Sequence, residues 1–141
     1  MTASISSGNS SRGRASVRGV ERPVVEKPEG DIPFDLGIDD ILVGEGAEAA
    51  AGATVTVHYV GVAFRSGEEF DASWNRGEPF RFKLGKGQVI PGWDQGVAGM
   101  RVGGRRQLTI PSALAYGARG AGGVIAPHEP LVFVVDLIAV D

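Results

Sequence analysis

Gly85-Lys86-Gly87-Gln88-Val89-Ile90-Pro91-Gly92-Trp93-Asp94-Gln95-Gly96-Val97-Ala98-Gly99 concentrates glycine, a single proline and a tryptophan where most domains would run an ordinary helix. Proline suits the first turn of a helix, because its missing N–H would lack an intrahelical partner there in any case. Pro91 is therefore read as a helix start, with Asp94 in the first turn, where a negative charge is favoured. Trp93 and Val97 stand four apart and share one face. Gly96 and Gly99 are expected to stop the helix early. A helix this short does not hold itself together in water, so the rest of the chain must wrap it.

Outward from this stretch the chain reads as strands. Leu36 to Val43 is a first strand, turned by Gly44-Glu45-Gly46. Thr54-Val55-Thr56-Val57-His58-Tyr59-Val60 alternates, with Val55, Val57 and Tyr59 on one face and Thr54, Thr56 and His58 on the other. Glu69-Phe70-Asp71 follows a Ser66-Gly67 turn, and Phe80, Phe82 and Leu84 alternate with Arg81 and Lys83. Beyond the helix, Gly103-Gly104 leads into Arg105 to Ile110, closed by Pro111. Arg106 is in phase with Leu108 and Ile110 and is expected to snorkel outward from the strand's start. Leu131 to Val140 is apolar on both faces apart from Asp136, as a central strand requires. Its expected faces are Leu131, Phe133, Val135 and Leu137 on one side, and Val132, Val134, Ile138 and Val140 on the other. The class is α+β: a five- to six-stranded antiparallel sheet curled around one short helix. Between Tyr116 and His128 runs a long, largely uncharged loop of the kind that usually carries function.

At 141 residues the chain is about one domain, with enough length for a sizeable core. Residues 1–30 are rich in Ser, Gly, Arg, Pro and Glu without an apolar period, and are expected to be a disordered leader to a domain at 31–141. Arg12, Arg14 and Arg18 within it are read as solvated, and a net charge of −3 gives no electrostatic case for nucleic acid. No apolar run approaches the roughly 20 residues of a membrane helix, and the N-terminus lacks an apolar signal core. Cytoplasm is the expected compartment and monomer the expected state. With no cysteine there is no disulfide, thiol nucleophile or thiolate metal site.

The catalytic inventories are nearly empty. His58 and His128 lie in separate elements without ligand spacing, so no metal is expected. Gly85-Lys86-Gly87 lacks the spacing of a phosphate loop. Asp39-Asp40 and Glu68-Glu69 are neighbours on extended chain and point to opposite faces. Ser112 has no nucleophile elbow. A reaction that needs no nucleophile, metal or proton relay does fit: rotation about a prolyl peptide bond, which faces a barrier of about 18–20 kcal/mol from amide resonance. An apolar pocket that strips water from the polar, planar amide favours the less polar, twisted form.

Val57-His58-Tyr59-Val60-Gly61, Glu69-Phe70-Asp71-Ala72-Ser73, Pro79-Phe80-Arg81-Phe82, Gln88-Val89-Ile90-Pro91-Gly92-Trp93, Leu114-Ala115-Tyr116-Gly117 and Leu131-Val132-Phe133 occur in the order and spacing of an FKBP-type peptidyl-prolyl isomerase. The chain resembles that family from about Leu36 to Asp141. The resemblance implies that Trp93 is the floor of a proline pocket and that Tyr59, Phe80, Val89, Ile90 and Phe133 are its walls. It further implies a backbone donor at Ile90, a hydroxyl donor at Tyr116, and a rim completed by Phe70 and Ile125. Asp71 would be the one pocket carboxylate, held by Tyr59 and oriented by Arg76. The implied catalytic group is Asp71, Tyr116, Trp93, Ile90 and Phe133, with no cofactor. Implied partners are proline-containing peptides, unfolded proteins and macrolide immunosuppressant inhibitors.

Beside catalysis stands the reading of a binding or chaperone module that uses the same hollow. The apolar insertion found in chaperone-like relatives would favour it, and none occurs between Lys83 and Gly87. Two positions depart from common eukaryotic members. Ala121 stands in place of a loop histidine, and Trp74 is bulkier than the usual residue; it either extends the pocket rim or packs on the turn.

Overall fold

The computed structural model describes residues 21–28, 30–121 and 124–141. Strands β1 (Gly37–Leu42), β2 (Thr54–Ala63), β3 (Glu69–Ala72) and β4 (Phe80–Lys83) precede helix α1 (Pro91–Gly96), and β5 (Arg105–Ile110) and β6 (Leu131–Val140) follow it. They form one six-stranded sheet in the order β1-β5-β6-β2-β3, with β4 paired to the other half of β2, and every pairing is antiparallel. The long strands β2 and β6 run side by side from Val55–Val140 to Ala63–Leu131, which makes them the spine.

The inner face follows the alternation of the sequence. Val55, Val57 and Tyr59 of β2, Leu108 and Ile110 of β5, and Leu131, Phe133, Val135 and Leu137 of β6 are buried with Trp93 and Val97. One expectation about faces is overturned. Val140 packs with this inner cluster and not with Val132 on the outer face. The register steps from Val57–Leu137 to Thr56–Ala139, so Ile138 is an extra residue that reverses the faces beyond it.

The helix is short for a reason other than the one its glycines suggest. Gly96 is its buried last residue and Val97 is the C-cap, in ordinary right-handed geometry; only Gly99 has positive φ, at 92°. A Cβ on Gly92 would lie 2.6 Å from Ile110, and one on Gly96 would lie 2.6 Å from Leu108. Both glycines therefore let the helix backbone settle directly onto β5. Asp94 occupies the first turn and accepts main-chain N–H bonds from Gly85 (2.8 Å) and Gly87 (3.0 Å), which closes the preceding loop.

Arg106 does not snorkel. Its side chain is only 11% exposed, pairs with Asp40 at 2.6 Å, and donates to the carbonyl oxygens of Gly96 (2.8 Å) and Ala98 (3.1 Å). It caps the helix C-terminus, where a cation meets both the orphan carbonyls and the negative end of the dipole.

The outer face carries a second apolar cluster of Val60, Val62, Phe64, Ala72 and Val132, with Val25 and Trp74 packed on it. Of the expected leader, residues 1–20 and their arginines lie outside the described residues. Residues 21–28 lie across this outer face: the Glu21 carbonyl accepts from Arg105 at 2.6 Å, Arg22 binds Asn75 and Glu69, and Val25 sits on the cluster. The described chain thus contacts the domain ahead of the expected boundary at residue 31, because Val25 has apolar surface to cover.

Candidate active site

The inner face is not filled evenly. At one end of the helix four rings meet. The Trp93 indole lies 4.9 Å from the Tyr59 ring and 5.2 Å from Phe133, both near-perpendicular, and 6.1 Å from Phe80. Tyr59 also meets Phe80 at 6.2 Å and Phe133 at 6.1 Å. Edge-to-face contact is the arrangement ring quadrupoles favour, so these rings hold one another upright. Trp93 is placed by Pro91, which starts the helix directly before it, and its N–H bonds the Ile90 carbonyl at 2.9 Å. Phe82, buried, stacks on Phe80 at 5.6 Å and packs against the indole at 5.6 Å.

Around this floor, Phe70, Phe80, Val89 and Ile90 are only partly buried, and Ile125 is buried against the same cluster. Phe70 meets Phe133 edge to face at 5.5 Å. Among the described residues no acceptor meets the main-chain N–H of Ile90, the N-cap of α1. Tyr116 stands at the mouth, 41% exposed. Phe70, Phe80, Val89, Ile90 and Ile125 thus pack on the same cluster as Trp93, Tyr59 and Phe133, and Tyr116 lies near enough to Asp71 to sense its charge.

The polar edge is a triangle. The Tyr59 hydroxyl donates to Asp71 Oδ2 at 2.7 Å, Arg76 Nη2 donates to the Tyr59 oxygen at 3.0 Å, and Arg76 Nη1 reaches Asp71 Oδ1 at 3.2 Å. Burial pushes the Tyr59 phenol above its ordinary value of 10.0; Arg76 opposes the shift and the Asp71 carboxylate adds to it. Burial also raises Tyr116, and the charge of Asp71 adds to that shift, so both phenols sense one carboxylate. Asp71 itself is half open to solvent, with a side chain 45% exposed. Half exposed and bonded through both oxygens, the carboxylate carries no cost of an unpaired buried charge.

Trp74 packs on the turn. Its ring stacks on His58 at 4.2 Å and 18°, on the face of β2 opposite Tyr59. Ala121 lies against the inner cluster and pairs with Ile125.

Sequence reasoning missed Gly61, although the glycine sits in one of the quoted blocks. A Cβ there would lie 2.6 Å from the Phe133 ring and 2.8 Å from Phe70. The signal available was a glycine in the middle of an otherwise apolar strand, which marks a close approach. A separate cleft of about 110 Å³ opens beyond the helix C-terminus, with Asp40, Arg101, Arg106, Leu42, Val43 and Met100 in its lining. It shares no residue with the aromatic hollow.

An antiparallel sheet wrapped on one short helix, with partly exposed aromatic rings at the helix start, defines a protein built to take an apolar group against those rings. The profile of the FKBP-type peptidyl-prolyl cis-trans isomerases matches residues 45–138. A FK506-binding protein of Streptomyces anulatus is 66% identical over 86% of this chain and 98% of its own length. The peptidyl-prolyl cis-trans isomerase FPR2 of Saccharomyces cerevisiae is 53% identical over 74% of this chain and 75% of its own. Among solved structures, the crystal structure of AtFKBP13 superposes with a TM-score of 0.70 at 43% identity, covering 76% of this chain and 94% of that one. The chain belongs to the FKBP-type peptidyl-prolyl cis-trans isomerase family. It is an enzyme of that type.

Proposed function

We propose that the hollow is where this isomerase turns a Xaa-Pro peptide bond, with the prolyl ring on the Trp93 indole between Tyr59, Phe80, Val89 and Phe133. The observation that carries the reading is the set of rings around Trp93, with Tyr59, Phe80, Phe82 and Phe133 each about 5–6 Å from the indole and the half-exposed Tyr116 and Asp71 beside them. The planar amide is charge-separated and well solvated, whereas its twisted form is not. Moving the bond from water onto aromatic faces therefore raises the ground state more than the transition state. In this reading the Ile90 N–H and the Tyr116 hydroxyl each hold a substrate carbonyl, so that one side of the bond stays fixed while the other rotates. Phe70 and Ile125 complete the rim. Asp71, oriented by Tyr59 and Arg76, supplies a carboxylate at the edge of the rings and biases the field across the rotating bond.

Proline-containing segments of unfolded proteins are the substrates this geometry takes, and we assign the chain to assistance of protein folding in the cytoplasm. The names of the relatives support macrolide immunosuppressants of the FK506 class as inhibitors in the same hollow. A protease-coupled assay on a short Leu-Pro peptide tests the reading. Turnover above the uncatalysed rate, abolished by FK506, is expected. A chain that binds FK506 and does not accelerate the peptide would be a holding module. Binding is followed by indole fluorescence in a Trp74→Phe variant, whose remaining tryptophan is Trp93.

A further inference from the structure

Ser73 is fully buried, and its hydroxyl sits at a junction. Oγ accepts the Tyr59 main-chain N–H at 2.8 Å and lies 3.4 Å from the Tyr59 carbonyl oxygen and 2.8 Å from His58 Nδ1. The serine's own carbonyl accepts the Arg76 N–H at 3.0 Å. A buried hydroxyl is costly unless bonded, and this one is bonded on every side.

Its location explains why. The β2–β3 ladder ends at Val60–Ala72, with Asp71 opposite Gly61 one step earlier. Past Ala72 the chain leaves the sheet in a 3-10 turn, Ser73–Asn75, which must return Arg76 to the strand it has just left. Where the ladder would have offered a carbonyl to the Tyr59 N–H, the serine side chain takes its place. Asp71 and Arg76 reach the same Tyr59 hydroxyl because Ser73, midway between them, is fastened to the Tyr59 main chain. His58 Nδ1 holds the Ser73 hydroxyl from the outer face at 2.8 Å, with its ring stacked on Trp74 at 4.2 Å and lying opposite Asp136 in the β2–β6 register.

We propose that Ser73 and His58 are positioning residues for the isomerase, holding the turn that brings the Asp71 carboxylate and the Arg76 guanidinium onto the Tyr59 hydroxyl. The inference rests on the reading that this triangle serves the reaction.

A double-mutant cycle on the full chain tests it, with kcat/KM on the Leu-Pro peptide and urea unfolding measured for each member. Ser73→Ala is expected to lower kcat/KM roughly ten-fold, the scale of a displaced positioning contact. In an Asp71→Leu background the same change is expected to do nothing further, since there is no carboxylate left to place. A merely structural role would instead give losses that multiply. His58→Phe keeps a ring for Trp74 and removes Nδ1; roughly a three-fold loss is expected, again absent beside Asp71→Leu. A fully active Asp71→Leu enzyme overturns the pocket reading itself. An impaired Asp71→Leu enzyme together with a fully active Ser73→Ala, or with multiplying losses, overturns the positioning role alone. Should Ser73→Ala fail to fold, the His58→Phe cycle decides in its place, and a full-rate His58→Phe enzyme overturns the proposal.

Discussion

The Tyr59 hydroxyl donates to Asp71 Oδ2 at 2.7 Å, tying a buried phenol on the spine strand to a carboxylate half open to solvent. The bond crosses from the apolar floor of the hollow to its polar edge. Removing the half-exposed carboxylate therefore alters the site more than it alters the fold, whereas removing the Tyr59 ring would alter both.

Asp71→Leu is expected to lower kcat/KM on a Leu-Pro peptide by roughly ten- to a hundred-fold, because the charge and the orientation it imposes are lost together. The carboxylate and its charged partner Arg76 are both about half exposed, and only the bond from the Tyr59 hydroxyl is partly buried, so urea unfolding is expected to move by no more than about 1–2 kcal/mol. A large loss of stability would instead make Asp71 a structural residue.

Trp93→Ala is expected to destabilise by about 3–5 kcal/mol, the range for emptying a buried aromatic site. Among the described residues the indole N–H has no partner, so the whole cost is packing. Trp93→Leu keeps apolar volume, and is expected to retain a cooperative fold while losing most turnover. Calorimetry and the peptide assay together separate the two effects.

Gly61→Ala adds one methyl group where two rings close on the strand. Overpacking of this kind costs about 1–3 kcal/mol. Because the displaced rings are Phe133 and Phe70, the loss of FK506 affinity is expected to exceed that of Ala72→Gly, a change on the outer face. Equal effects would remove Gly61 from the site.

Both tyrosines of the chain are shifted above 10.0, so phenolate absorbance of the folded protein is expected to rise only above that value, while the urea-unfolded chain titrates at it. A raised folded value means that the native state holds its proton longer. The contribution is therefore fully present below pH 10 and is lost as pH rises through the folded values. Asp71→Asn removes a charge that raises both phenols, and both titrations are expected to move down. Ultraviolet titration at alkaline pH reads this directly.

Removing residues 1–28 uncovers part of the outer cluster of Val60, Val62, Phe64 and Val132, and deletes the Arg22 pairing with Glu69. Burial of about one valine side chain is at stake, or about 1.5–2 kcal/mol. A lower urea midpoint with turnover kept within two-fold is expected. Unchanged stability would show that the strap adds nothing.

The alternation in Thr54–Val60 already makes a half-buried strand, the two-sided apolar run at Leu131–Val140 already makes a central one, and Pro91 already places the helix start. These features are local, since side-chain direction along a strand or a first helical turn follows from adjacent residues alone. Trp93, Tyr59, Asp71 and Tyr116 were legible as a group through the quoted blocks, whereas spacing by itself left Tyr59 and Phe133 indistinguishable from core. Other features required the third dimension. The extra residue at Ile138 reverses the face of Val140, and Arg106 turns inward because Gly96 and Ala98 leave their carbonyls beside it. Gly92, Gly96 and Gly61 are absences whose meaning depends on what packs above them: Ile110, Leu108 and Phe133. Trp74 had two readings until its ring was found on His58. The stretch from Gly85 to Gly99 determined by itself that there is a short helix needing cover. Which rings cover it, and which end they leave open, was decided by register and packing between segments far apart in the chain.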